Sequence, residues 1–188
     1  FNANMLANEM FLDSADLRAS VVSKAKQVGY TPISSTASQA TVDVTVTNAV
    51  GSSLTMERGT QFSTTVDGTG YNFVNNADLS ITPVDGVYKF SNVDIFEGTY
   101  LNFKYTVNTS DIDQRFIVPN DFVDTNTLTV KVQESISDST TNTYTLAGGI
   151  TGIDSTSKVY FLQEVENGRF EVYFGDDVLG QGVADGNI

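Results

Sequence analysis

The sequence predicts a mainly β chain of α+β type, an N-terminal helix followed by an antiparallel, sandwich-like β domain, in one piece or as two β subdomains. Three observations carry that expectation. Apolar residues recur at three- and four-residue steps only near the start of the chain; from Ala40 onward short Thr-, Val-, Tyr- and Phe-rich segments alternate with Gly, Asn and Asp; and no helical crossover is visible after residue 30. Parallel strands need such crossovers, so the sheets are expected to be mainly antiparallel.

The helical expectation covers residues 1–28, where Leu6, Met10, Leu17, Val21, Ala25 and Val28 form the periodic apolar set. Asp13 or Ser14 is placed to cap a second helical segment, with Asp16 near its amino end. Lys24 and Lys26 stand near the carboxyl end, as the helix dipole prefers. Gly29 and then Pro32 stop the helix. Phe1, Phe11 and Leu12 fall outside its apolar face, which makes them candidates for contacts with another subunit.

Strict alternation from Ala40 to Thr47 puts Val42, Val44 and Val46 on one face of a half-buried strand. Similar alternation predicts strands over Tyr100 to Val107, Leu128 to Val132, Val159 to Leu162 and Phe170 to Phe174, within a total of ten or more. Turns are expected at Asp67-Gly68, Asp85-Gly86, Gly148-Gly149 and Asn167-Gly168, the last suited to a tight type I′ hairpin. The polar stretch 135–143 reads as an exposed loop or subdomain boundary. The expected organisation is therefore a helical segment at 1–32, an antiparallel β domain at 33–134, and a second subdomain or continuation at 135–188.

The 188 residues include 23 acidic and 10 basic side chains, a formal charge of -13, with the acids scattered singly. Such a chain repels phosphate backbones and anionic lipid, and no Lys/Arg cluster offsets that, so neither nucleic acid nor membrane is an expected partner. No apolar run approaches the roughly 20 residues that span a bilayer. The absence of Cys and His removes disulfides, zinc sites and the Ser/His/Asp and Cys/His nucleophile systems.

Paired carboxylates are the catalytic material left: Asp111 with Asp113, Glu164 with Glu166, and Asp176 with Asp177. Carboxylates two apart in a β protein ordinarily occupy the wet face of a strand or a turn, so no enzyme is expected. Asp67, Asp85, Asp154 and the Asp176-Asp177 pair lie near glycines and offer hard oxygen ligands, yet no Asp-x-Asp-x-Asp-Gly loop is present. No metal or cofactor is expected. The chain begins at Phe1 and stops at Gly186-Asn187-Ile188 just after a dense turn region, which reads as an internal fragment.

Three segments together resemble the J-type baseplate wedge family of contractile-tailed bacteriophages, and in particular its T-even type. The first is Asn8-Glu9-Met10-Phe11-Leu12-Asp13-Ser14-Ala15-Asp16-Leu17-Arg18, running through Ala25-Lys26-Gln27-Val28-Gly29-Tyr30-Thr31-Pro32. The second is the order of Arg58-Gly59-Thr60-Gln61-Phe62, Glu97-Gly98-Thr99, Gln114-Arg115-Phe116-Ile117-Val118-Pro119 and Asp124-Thr125-Asn126-Thr127-Leu128-Thr129-Val130. The third is Gly168-Arg169-Phe170-Glu171-Val172-Tyr173-Phe174-Gly175-Asp176-Asp177-Val178-Leu179-Gly180, similar to a strand that ends in Phe-Gly-Asp-Gly before a glycine-bearing turn. Gly175, Asp176, Asp177 and Gly180 are thus structural turn residues, with Asp177 where the family commonly has glycine, although Asp tolerates positive φ less readily.

The resemblance spans roughly residues 4 to 188. It implies a structural part of the virion, located in the tail baseplate and assembled in the host cytoplasm. It further implies two copies of the wedge protein that associate with one another and with other wedge proteins, the wedges closing a ring around the tail hub. Two other classes remain open from the residues alone: a carbohydrate-binding or adhesin-like β-sandwich, favoured by Thr/Asn richness and eight tyrosines, and a glycosidase built on an acidic pair.

Overall fold

The computed structural model of the chain describes residues 5, 7–28, 30, 33–165 and 168–188. The chain is mainly β, and its contacts gather into two compact units, one formed by residues up to Ser35 together with Phe103–Ile188, the other by Thr36–Asn102.

The unit Thr36–Asn102 holds β1 (Gln39–Val46), β2 (Leu54–Met56), β3 (Gln61–Val66), β4 (Thr69–Asn75), β5 (Leu79–Ile81) and β6 (Tyr88–Glu97). β1, β6, β4 and β3 form a four-stranded antiparallel sheet in that order, and β2 pairs with β5. The alternation read from the sequence appears in β1 as half-buried Val42, Val44 and Val46 between exposed Thr and Asp. These valines pack against Phe90, Val93 and Ile95 of β6, while Leu54 and Met56 of β2 and Leu79 and Ile81 of β5 join the same cluster. The small sheet therefore shares an apolar core with the large one, and each fully buried large side chain contributes roughly 1.5–3 kcal/mol of transfer free energy.

Turn chemistry fixes the register. Asp67 and Gly68 (φ +50° and +80°) join β3 to β4, and Asp85 and Gly86 (φ +51° and +75°) lie between Val84 and Val87, which exchange two hydrogen bonds of 2.9 Å. Positive φ at both central residues is the type I′ geometry that matches strand twist. A bulge in β6 shifts register between Val42 and Val44; there Asn92 takes φ +54° and donates its N–H to Asp43 Oδ1 at 2.9 Å.

In the other unit, α1 (Arg18–Gln27) accompanies β7 (Phe116–Ile117), a 3-10 turn at Thr125–Thr127, β8 (Val130–Gln133), β9 (Thr141–Leu146), β10 (Val159–Glu164) and β11 (Phe170–Phe174). The five strands line up as β7-β11-β10-β9-β8, antiparallel except for the short parallel contact of β9 with β10. Val132, Tyr144, Tyr160 and Val172 point into one buried cluster with Val118. Tyr105, Phe116, Phe174 and Tyr144 extend it through edge-to-face contacts with centroids 5.9, 5.7 and 5.3 Å apart, within the range aromatic pairs prefer. The polar stretch 135–143 covers the connection from β8 to β9 and the start of β9, and those two strands pair with each other.

Two expectations are corrected. Tyr100 to Val107 is not a strand, because among the described residues no strand lies alongside it. Its backbone is held at its end, where Val107 donates to the Asn187 carbonyl and accepts from Gly186 N–H at 2.8 and 2.9 Å and the Thr106 carbonyl accepts from Gln114 Nε2 at 2.8 Å. The alternation there marks partial packing, not pairing. The helix expected over 1–28 is interrupted: Met5, Ala7 and Asn8 are helical, residues 9–14 form a turn, and α1 begins at Arg18. Met10, Leu17 and Val28 of the expected apolar face are 66, 49 and 74 % exposed, Ala25 alone among them is buried, and Leu6 lies outside the described residues. Neither Asp13 nor Ser14 caps the helix; Leu17 occupies that position without a side-chain cap. The N–H groups just before the helix turn to Glu9, whose Oε1 accepts from Asp16 and Leu17 at 3.1 and 3.3 Å. Lys24 and Lys26 do occupy the last turn, whereas Gly29 and Pro32 lie outside the described residues.

Candidate docking surface and the turn after β11

The segment before α1 is a tight polar-stitched turn that leaves its apolar side chains outward. Phe11 carbonyl accepts from Ser14 and Ala15 at 3.3 and 3.0 Å, and Ser14 Oγ donates to the Asn8 carbonyl at 2.7 Å. With the backbone bonded to itself, Met10, Phe11 and Leu12 project at 66, 63 and 49 % exposure. Of the interface candidates, Phe11 and Leu12 are therefore surface groups next to one another, and Phe1 lies outside the described residues.

A charge pair, not an apolar face, ties α1 to the sheet. Arg18 Nε and Nη2 donate to the two carboxylate oxygens of Glu164 at 2.7 and 2.8 Å, and Lys26 Nζ donates to the Glu164 carbonyl at 2.5 Å. Glu164 is 1 % exposed while Arg18 remains 64 % exposed, and the pairing raises the arginine's pKa. A second fork joins Arg115 to Glu171 with two bonds of 2.8 Å, and Gln163 Nε2 adds a third at 2.7 Å. The Arg115 guanidinium holds the Glu171 carboxyl below the usual carboxylate range, against the opposing effect of burial.

Arg18→Ala is expected to cost about 1–3 kcal/mol, below the full penalty of an orphaned buried charge because water reaches the arginine side of the pair. Urea unfolding with Glu164→Gln in a double-mutant cycle checks this. Additive effects would mean that the pair does not hold the helix.

The carboxylate pairs considered for catalysis serve local structure. Asp111 Oδ1 accepts the Asp113 N–H at 3.1 Å, an Asx turn, and Glu164 is engaged by Arg18, its supposed partner Glu166 lying outside the described residues. Asp67 and Asp85 form hairpin turns, and Asp154 Oδ1 accepts Thr156 N–H, Thr156 Oγ1 and Ser157 Oγ at 2.9, 2.9 and 2.8 Å. Those bonds, led by Ser157, lower the Asp154 pKa.

Gly175, Asp176, Asp177 and Gly180 build one turn where β11 ends. Asp176 Oδ1 accepts from Val178 and Leu179 N–H at 3.1 and 2.9 Å, and the Leu179 bond is the main cause of its lowered pKa. Asp177 takes φ +63°, a left-handed conformation that favours glycine, and its Oδ1 accepts Gly182 N–H at 2.8 Å. Local hydrogen bonding of this type is how Asp tolerates the left-handed region. Gly180, at φ +88°, donates to the Asp154 carbonyl at 3.0 Å and so fastens the turn to the 154–157 loop.

No family model matches the chain. The chain is similar to baseplate wedge protein gp6 of Enterobacteria phage T4. Identity is 28% over 190 residues, covering 98% of this chain and 27% of that protein, so the chain spans about a quarter of the relative's length. The similarity takes in both compact units. Sequence reasoning missed the Arg18–Glu164 and Arg115–Glu171 pairs, since the partners lie 146 and 56 positions apart and no local spacing links them.

Proposed function

We propose that this chain is a structural module of a phage tail baseplate wedge and works by associating with neighbouring subunits, not by catalysis. The observation that carries this reading is the similarity to a baseplate wedge protein along 98% of the chain. The exposed Met10-Phe11-Leu12 cluster supports it, because adjacent large apolar side chains held outward by a self-bonded turn suit a contact with another protein. In this reading the module sits in the virion's tail baseplate after assembly in the host cytoplasm. Its partners are a second copy and other wedge proteins, in a ring around the tail hub, where repeated contacts close by rotation.

Leu12→Asp tests the docking role. Leu12 is half exposed and outside both buried clusters, so the change leaves the fold intact. Sedimentation equilibrium over a concentration series is expected to show a lower average mass for Leu12→Asp than for the parent chain, with identical circular dichroism. An unchanged mass would remove residues 10–12 from the interface.

A further inference from the structure

The four-stranded sheet ends in two open edges whose backbone groups can be assigned. The Ser38 carbonyl accepts Glu97 N–H at 2.8 Å, and the register continues as Ala40 opposite Ile95 and Val42 opposite Val93. In an antiparallel ladder bonded and non-bonded pairs alternate, so Gln39 and Thr41 turn their N–H and C=O groups away from β6. On β3 the Thr60 carbonyl accepts Asn75 N–H at 3.3 Å and the hairpin closes at Val66 opposite Thr69, which turns Gln61, Ser63 and Thr65 outward. Side chains confirm the parity. Thr41 Oγ1 reaches Asp94 and Ser63 Oγ reaches Asn72, both at 2.7 Å, across the close non-bonded pairs. Among the described residues nothing bonds to these outward backbone groups.

Open strand edges are ordinarily blunted by charge, proline or an outward bulge. β3 carries neither charge nor proline. β1 has one charge, Asp43, already engaged by Lys89 Nζ at 3.2 Å and by Asn92 N–H, and the bulge lies on β6, inside the sheet.

We infer that β1 of one copy pairs antiparallel with β3 of a second copy, joining the sheets head to tail. The order β1-β6-β4-β3 is antiparallel throughout, so β1 and β3 run in opposite directions and a translated copy continues the alternation. The two edges also carry half-buried apolar residues of the same face, Val42, Val44 and Val46 on β1 and Phe62 on β3. Joining the edges brings these side chains together. Pairing of β1 with itself instead brings two Asp43 carboxylates close and leaves β3 open, an arrangement like charges disfavour. A head-to-tail contact is heterologous and builds a ring or a filament.

The test uses the full chain carrying Leu12→Asp, so that only sheet-edge association remains. Thr41→Pro and Ser63→Pro each remove one outward N–H and leave the internal ladder intact. The Leu12→Asp chain is expected to gain mass with concentration, and each proline variant to remain a single chain. Their 1:1 mixture is expected to reach twice the single-chain mass and no more, because one variant keeps a working β3 and the other a working β1. Gln39→Pro and Gln61→Pro, at the first position of each strand, repeat the test if circular dichroism shows that an interior proline unfolds the sheet. A Leu12→Asp chain that is monomeric throughout overturns the pairing while leaving docking through residues 10–12 standing. Dimers of Ser63→Pro alone overturn it in favour of β1 self-pairing.

Discussion

Gly175→Ala is expected to destabilise the protein by at least about 3 kcal/mol, the upper range for forcing atoms into a packed site. A Cβ at that position meets Gly180 O at 2.1 Å, Gly180 C at 2.3 Å and Leu179 O at 2.5 Å. All three are backbone atoms, so no rotamer change relieves the clash and the 175–180 turn must open. Opening it breaks the Asp177 N–H bond to the Gly180 carbonyl and the Gly180 N–H bond to Asp154, each 3.0 Å, and frees the chain that follows β11. That chain matters to the sheet, because Ile188 and Gln133 exchange bonds of 2.8 and 3.1 Å beside β8. Gly148→Ala is the control: an added Cβ there meets nothing within 4 Å, and a change of under about 0.5 kcal/mol is expected. Urea unfolding followed by near-ultraviolet circular dichroism compares the two. Equal midpoints would show that the close approach of Gly175 to Gly180 is not a feature of the folded protein.

What local pattern encodes was legible in the sequence. β1, β10 and β11 appear where alternation places them, and the Asp-Gly pairs at 67–68 and 85–86 make the turns their chemistry favours. Non-local pairing was not legible. Leu101, Phe103 and Tyr105 alternate as well as Val42 and Val44 do, yet among the described residues no strand pairs with them, and Tyr105 instead donates its hydroxyl to the Ile117 carbonyl. The helix shows the same limit from the other side. The three- and four-residue steps at Met10 and Leu17 suggested an apolar stripe, whereas the helix is held by Arg18 to a glutamate far along the chain. At the candidate docking surface, periodicity did single out Phe11 and Leu12 as misplaced for an internal face, and both are exposed. The Glu9 carboxylate that shapes their turn reaches N–H groups seven and eight residues ahead, beyond any standard cap spacing.

Phe90→Ala carries the other large effect, an expected loss of about 3–5 kcal/mol in the unit Thr36–Asn102. Phe90 is 3 % exposed on β6, the strand that pairs with both β1 and β4, and its ring lies in the cluster shared by the two sheets of that unit. Truncation leaves a cavity among side chains drawn from several strands, and the bulged register of β6 limits how far the backbone moves to fill it. A unit this small buries a modest apolar area, so a loss of that size takes most of its net stability. Hydrogen exchange is expected to show it as accelerated exchange along β1, β4 and β6, while Phe122→Ala, at an 84 % exposed position, leaves the same amides protected. Protection of the β6 amides in Phe90→Ala equal to that of the parent chain would mean that the shared cluster does not hold the two sheets together.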